Sequence, residues 1–352
     1  MIGLPFNTSL EIAFPTMNRP DPKQLANVIV LATGGTIAGT ASAADDGAYH
    51  AGDIPVDTLI DAVPEAKQLA NLTGIQVASI GSQDMNDQVW MKLAHELDQH
   101  LSDDSVSGAV ITHGTDTIEE TAFYLNLVVD SDKPVVLTGA MRPATALSAD
   151  GPLNLYNSVA VAASKKARGH GVLVVANDSI HGAREVVKTN TLTVQTFESP
   201  NMGLLGALHY GSFRMFRKPQ KKHTTDSVFS IRSIKELPRV VVIFAHSNMQ
   251  GDLIRAAVEM GAKGIVLAGV GNGNTSQLAI DALSDARQRG VVIVRSTRSS
   301  SGAVLRNQEI DDDALGFVVS DQLNPAKARV LLQLGLTQTN DVGEIQEHFW
   351  TY

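Results

Sequence analysis

The sequence predicts an α/β protein of two α/β domains with mainly parallel sheets, a larger N-terminal domain followed by a smaller C-terminal one. Three observations carry this. Short apolar runs rich in Val and Ile recur along the 352 residues, continuous rather than alternating, as expected of strands buried on both faces of a parallel sheet. Helix-like stretches separate them, the pattern of βαβ winding. And the alternation breaks once, in a polar stretch between Arg214 and Leu237.

The expected strands are Val28–Ala32, Val77–Ile80, Ala109–Ile111, Val135–Leu137, Val172–Val175, Val240–Phe244, Gly264–Ala268 and Val291–Val294. The expected helices are Asp87–Leu101, Thr117–Val128, Leu153–Ala163, Gly251–Met260 and Thr275–Arg289. The domains are expected at 27–215 and 239–352, joined by a solvated linker at 216–238 that contains the basic run RKPQKKHTTDS. Residues 1–26 read as a poorly ordered leader ending in Pro20-Asp21-Pro22, without the basic and apolar regions of a signal peptide.

Composition excludes several classes. Hydrophobic residues make up 43% and charged residues 18%, an ordinary globular balance. A net charge of −9 disfavours a nucleic-acid surface, which needs clustered cations. With no cysteine, thiol nucleophiles, disulfides and Cys-based metal sites are ruled out.

The residues able to do chemistry gather where strands hand over to helices. The first strand runs into Thr33-Gly34-Gly35-Thr36-Ile37-Ala38-Gly39. This is neither G-x-G-x-x-G nor a P-loop, because Thr40 follows Gly39 where a lysine would stand. What remains is a hydroxyl, Thr36, beside two glycines that let backbone approach closely. Gly39–Asp53 is almost wholly small or polar and reads as a lid with one aromatic residue, Tyr49. Ile80–Asp87 offers Ser82, Gln83 and Asp84, one of its acidic residues serving as the N-cap of the next helix. Thr112-His113-Gly114-Thr115-Asp116 crowds two threonines, an imidazole and a carboxylate onto one turn. There Asp116 is either a helix cap or a functional acid, and His113 reads as a packed imidazole. Lys188 sits among Val186, Val187 and Thr189, which favours burial beside a charge partner. Ligands of open α/β sheets bind at the carboxyl ends of strands, where three of these stretches lie. No G-x-S-x-G elbow occurs, and His95 and His100 are one residue too far apart for a zinc helix.

TGGTIAG (Thr33–Gly39), GSQDMND (Gly81–Asp87), the ITHGTDT and EETA blocks of Ile111–Ala122, GAMRP (Gly139–Pro143), Ser148–Asn157, AGVGNGN (Ala268–Asn274) and NPAKARVLLQLGLTQT (Asn324–Thr339) together resemble the bacterial type II L-asparaginases, from about Asn27 to Tyr352. The resemblance implies hydrolysis of L-asparagine to L-aspartate and ammonia, with a secondary activity on L-glutamine and no cofactor or metal. It implies Thr36 as nucleophile and Tyr49 as the lid tyrosine, with Thr115, Asp116 and Lys188 as a second, triad-like group. Substrate contacts would come from Ser82, Gln83, Asp116 and Ala140, with Asn248 and Glu309 completing a neighbouring subunit's site in a homotetramer of intimate dimers. A periplasmic or secreted location is implied as well. Gln250 departs from the pattern, standing where a smaller residue is expected beside the substrate, so the balance between asparagine and glutamine stays open, including comparable activity on both. From another class, an amino-acid-binding protein would use Ser82, Gln83 and Asp116 but leave Thr36, Tyr49 and Lys188 idle. A nucleotide-dependent enzyme would need the missing lysine.

Overall fold

The computed structural model describes residues 25–41, 49–50 and 52–352. The expected leader up to residue 24 and most of the expected lid lie outside the described residues. In chain order the N-terminal half contains β1 (Ala26–Gly34), β2 (Thr40–Ala41), β3 (Tyr49–His50), β4 (Ala70–Ile80), β5 (Val106–Thr112), β6 (Val135–Thr138), β7 (Val172–Ala176), β8 (Ser179–Gly182), β9 (Val187–Lys188), β10 (Phe197–Glu198), β11 (Gly206–His209) and β12 (Ser212–Met215), with α1 (Val56–Asp61), α2 (Asp87–Leu101), α3 (Ile118–Val128) and α4 (Gly151–Ala162). The C-terminal half contains β13 (Val240–Phe244), β14 (Gly264–Gly269), β15 (Val292–Thr297) and β16 (Val318–Val319), with α5 (Asp252–Glu259), α6 (Gln277–Gln288), α7 (Asp312–Leu315), α8 (Pro325–Gly335) and α9 (Val342–Thr351).

Eight strands form the large sheet in the order β12-β11-β8-β7-β6-β5-β1-β4. Its β4-β1-β5-β6-β7 part is parallel, and β8, β11 and β12 extend it antiparallel. The second sheet, β13-β14-β15-β16, is parallel throughout. The α/β reading therefore holds, with an antiparallel tail that the apolar runs did not announce.

The continuous apolar runs have a direct cause. Val28 and Val30 of β1 pack with Leu155 and Val159 of α4, while Ile29 and Leu31 pack with Leu93 of α2 and Phe123 of α3. Both faces of the strand are thus dry, and alternation disappears. β4 is the exception. It is an edge strand, largely part-exposed, so its first seven residues, Ala70–Gln76, carry no apolar run to mark them.

The expected solvated linker is solvated only in part. Phe229, Ile231 and Ile234 are buried in the same core as α2, α3, α8 and α9, and Arg232 pairs with Asp98 of α2. Helix α8 lies between the halves, packed against α3 on one side and against β13, β14 and β15 on the other.

Candidate functional site

In the large sheet the chain passes from β1 outward to β4 and then returns to β5 on the other side of β1. The sheet reverses direction of growth at β1, and the crevice beyond its carboxyl end is where an open α/β sheet receives a ligand. The segments after β1, β4, β5 and β6 converge there.

Glycines let these segments touch. At Gly35, whose φ is +79°, a Cβ would fall 2.3 Å from the backbone nitrogen of Gly114. At Gly114 a Cβ would fall 2.6 Å from Ser82 Oγ. The turn of Thr36 therefore packs backbone against backbone on the turn of Thr115, and the Ser82 side chain is seated against Gly114. Ser82 Oγ accepts from the Asp116 N–H at 3.2 Å, and Thr117 Oγ1 donates to the Ser82 carbonyl at 2.7 Å. Gln83 is exposed, its side-chain amide folded over Gly81, where no Cβ stands in the way.

The GAMRP turn completes the floor. Asp150 accepts from the backbone N–H groups of Met141 and Arg142, and Asn154 donates to the Gly139 carbonyl. Ala140 is buried there, and Gly139 packs on the Thr115 methyl and the His113 carbonyl.

Lys188 reaches the site from β9. Its Nζ donates to Thr115 Oγ1 at 2.8 Å and to Asp116 Oδ1 at 2.5 Å. Thr115 is buried at 5% exposure, whereas the Asp116 side chain is 61% exposed. One end of the group is dry and the other open to solvent. Asp116 does not cap α3: Thr117 holds the N-cap position, without a side-chain cap bond. The carboxylate is turned instead to Lys188, so the helix-cap reading of this residue is set aside. The acidic cap expected for α2 is corrected too, since Asn86 takes that place and accepts from the Val89 N–H.

His113 is fully buried and locked. Trp90 Nε1 donates to Thr121 Oγ1 at 2.8 Å, and the hydroxyl faces His113 Nε2 at 2.9 Å. Its Nδ1 faces the Gly114 carbonyl at 2.7 Å, so Nδ1 carries the proton and Nε2 accepts. Burial pushes the imidazole pKa down to about 4. The ring is a neutral brace for the Thr115 turn.

The remaining expected residues fall elsewhere. Tyr49 pairs through its backbone with Ala41, and its side chain lies outside the described residues. Thr36 is buried at the start of a single 3-10 turn. Asn248 is exposed, with φ of +60°, and its carbonyl and side chain accept from Gln250. Glu309 is exposed and accepts from Asn272 Nδ2 at 2.9 Å. That hydrogen bond leads the causes that hold its carboxyl below the usual range, to which Asn274 also contributes. None of the hydrogen bonds among the described residues joins Asn248 or Glu309 to the Thr36–Thr115–Lys188 group. Sequence reasoning overlooked Asn272 and Asn274, although both lie in the AGVGNGN motif; the buried Oδ1 of Asn274 has no hydrogen-bond partner among the described residues. It also overlooked Glu119, whose buried carboxylate accepts the Lys188 backbone N–H at 2.8 Å.

Fold and site define a class: a two-domain α/β protein that sets a lysine–threonine–carboxylate group beside a second threonine at the reversal point of a parallel sheet. Residues 27–221 match the family model for the N-terminal domain of asparaginase, and residues 239–349 match that for the glutaminase/asparaginase C-terminal domain. The chain belongs to the asparaginase family. It is 53% identical to the "Probable L-asparaginase periplasmic" of Haemophilus influenzae, over 92% of this chain and 93% of that one. It is 50% identical to the "L-asparaginase 2" of Escherichia coli, over 93% and 94%, and 47% identical to the "Glutaminase-asparaginase" of Pseudomonas fluorescens, over 94% and 91%. The crystal structure of a "Probable Cytoplasmic L-asparaginase" from Campylobacter jejuni superposes with a TM-score of 0.90 at 44% identity, covering 93% of this chain and all of that one.

Proposed function

We propose that the protein hydrolyses the side-chain amide of L-asparagine to L-aspartate and ammonia, with a secondary activity on L-glutamine. The observation that carries this reading is Lys188 Nζ set between Thr115 Oγ1 and Asp116 Oδ1, on a turn packed backbone to backbone against that of Thr36.

A threonine hydroxyl is inert toward an amide unless a partner moves its proton. Thr36 is the nucleophile: its oxygen bonds to the amide carbon, and the carbonyl electron pair moves onto oxygen. Backbone N–H groups of the glycine-flanked turns stabilise that oxyanion, worth about 3 kcal/mol per donor in comparable sites. Breaking the carbon–nitrogen bond releases ammonia once the nitrogen has received a proton. Water then cleaves the ester, freeing aspartate and restoring Thr36. Thr115, Lys188 and Asp116 move the protons: the lysine accepts one in its amine form and gives one in its ammonium form. Tyr49 contributes a phenol to the reaction.

Ser82, Gln83 and Asp116 bind the substrate's α-groups, and Ala140 contacts the substrate as well. A buried α-ammonium needs anionic partners, and Asp116 supplies one. Glu309 supplies another from a neighbouring subunit, with Asn248 from the same domain. Asn274, whose side chain hydrogen-bonds Glu309 and whose buried Oδ1 has no hydrogen-bond partner among the described residues, joins them. The working form is a homotetramer of intimate dimers, to be checked by native mass spectrometry. The periplasmic location follows the Haemophilus influenzae relative, and cell fractionation tests it against the cytoplasmic location named for the Campylobacter jejuni protein.

The test is ammonia release from asparagine and glutamine measured side by side, for wild type and for Thr36→Ala. A folded Thr36→Ala that keeps more than about a tenth of the activity, a loss of only ~1.4 kcal/mol, removes Thr36 as nucleophile. Glutamine turnover equal to asparagine turnover would make the protein a glutaminase-asparaginase.

A further inference from the structure

Lys188 is gripped at its backbone as well as at its ammonium. β9 and β10 form a ladder of only two residue pairs, too short to fix a strand by itself. The hold comes from Glu119, in the first turn of α3, whose Oε2 accepts from the Lys188 N–H at 2.8 Å. Its other oxygen, Oε1, accepts from Asn324 Nδ2 at 2.8 Å. Asn324 belongs to the C-terminal half and caps α8, accepting from the Lys327 N–H at 3.0 Å. One turn along, the buried Lys327 donates from Nζ to the carbonyls of Arg184 and Val186. The segment that delivers Lys188 is thus suspended from a helix of the other domain, and Glu119 is the joint.

We propose that Glu119 is a positioning residue for the reaction: its carboxylate bridges the Lys188 backbone to Asn324, so that the C-terminal domain sets where the Lys188 ammonium stands against Thr115. This rests on the amide-hydrolysis reading above. The chemistry of the joint requires a carboxylate. Both partners are donors, and an acceptor on each arm is needed to satisfy both. Glutamine has the same shape but one acceptor arm, so it must drop one partner. A freed Lys188 backbone lets a long, flexible side chain wander, and a displacement of about 1 Å at a reacting group costs ~100-fold in rate. The joint also bears on Lys327, whose pKa is driven down by burial to about 8 and held up by Glu119, Glu185 and Glu120 against Arg184.

The pair can be inverted. In Glu119→Gln with Asn324→Asp, the glutamine oxygen accepts from Lys188, its amide donates to the new carboxylate, and aspartate still caps α8. The expected result is a kcat for L-asparagine reduced about tenfold or more in each single variant, with KM within about threefold, and a kcat restored to within about threefold of wild type in the double variant. Melting temperatures are measured on all four proteins. A merely structural role would lower stability and leave kcat per folded molecule unchanged. Glu119→Gln that keeps more than about half of kcat overturns the proposal. So does a double variant that does not regain kcat, whether or not it folds. A wild type that releases no ammonia overturns this proposal together with the amide-hydrolysis reading. An active wild type beside a fully active Glu119→Gln overturns this one alone.

Discussion

Lys188 Nζ lies 2.8 Å from Thr115 Oγ1 and 2.5 Å from Asp116 Oδ1, joining a buried hydroxyl to a carboxylate that is 61% exposed. An ion pair with one partner so open contributes little to stability.

Lys188→Met should therefore separate activity from stability. Loss of a positioned acid–base group lowers kcat by roughly 10²–10⁴-fold. The melting temperature should stay within a few degrees, because the released Asp116 is already hydrated. A large fall in melting temperature with kcat preserved would make the lysine structural.

Gly35→Ala should fail for a reason of geometry. The new Cβ meets the Gly114 nitrogen at 2.3 Å, on a backbone with φ of +79°. The strain of such a conformation costs about 1–3 kcal/mol. Relief would come from parting the Thr36 and Thr115 turns, so activity should fall more steeply than stability. Calorimetry and kcat on the same preparation test this, and an alanine variant with wild-type kcat refutes the tight backbone approach.

Acid should unfold the protein through its buried histidines. His113 and His181 are buried, and desolvation lowers each pKa to about 4. Between about pH 6.5 and pH 4 the unfolded chain binds protons that the folded chain does not. The stability is complete above the unfolded value and is lost as pH falls through the folded one, roughly 3 kcal/mol for each group. Set against a typical total of about 5–15 kcal/mol, the pair matters. Urea midpoints should drop steadily from pH 7 to pH 4.5 and drop less in His181→Gln. Identical slopes would clear His181.

Subunit mixing tests the shared site. Thr36→Ala and Glu309→Ala chains are each expected to be inactive. Hybrid dimers contain one intact site if Glu309 serves the neighbour, so mixing should restore some activity. Hybrids confirmed by mass spectrometry that stay inactive would assign Glu309 to its own subunit.

By itself the sequence determined the fold class, the central strands and the turns that gather at the candidate site. The reason is that burial on both faces of a parallel strand writes a continuous apolar run, and the glycines, hydroxyls and carboxylates that end those runs are local features. α2 was legible over its full length, Asp87–Leu101, because one helix face is buried and the other wet. Elements with one exposed side or only two paired residues wrote weaker signals: the start of β4, the antiparallel tail and β9 were read only from the folded chain. The grouping of Lys188 with Thr115 was implied by the family resemblance, but the contact itself, 2.8 Å across 73 residues, was decided by tertiary structure. So was the choice of Asp116 as a lysine partner over a helix cap, and so was the bridge from Glu119 to Asn324 across 205 residues. A hydrogen bond needs two groups about 3 Å apart in space, and neither residue's neighbours in the chain carry any record of the other.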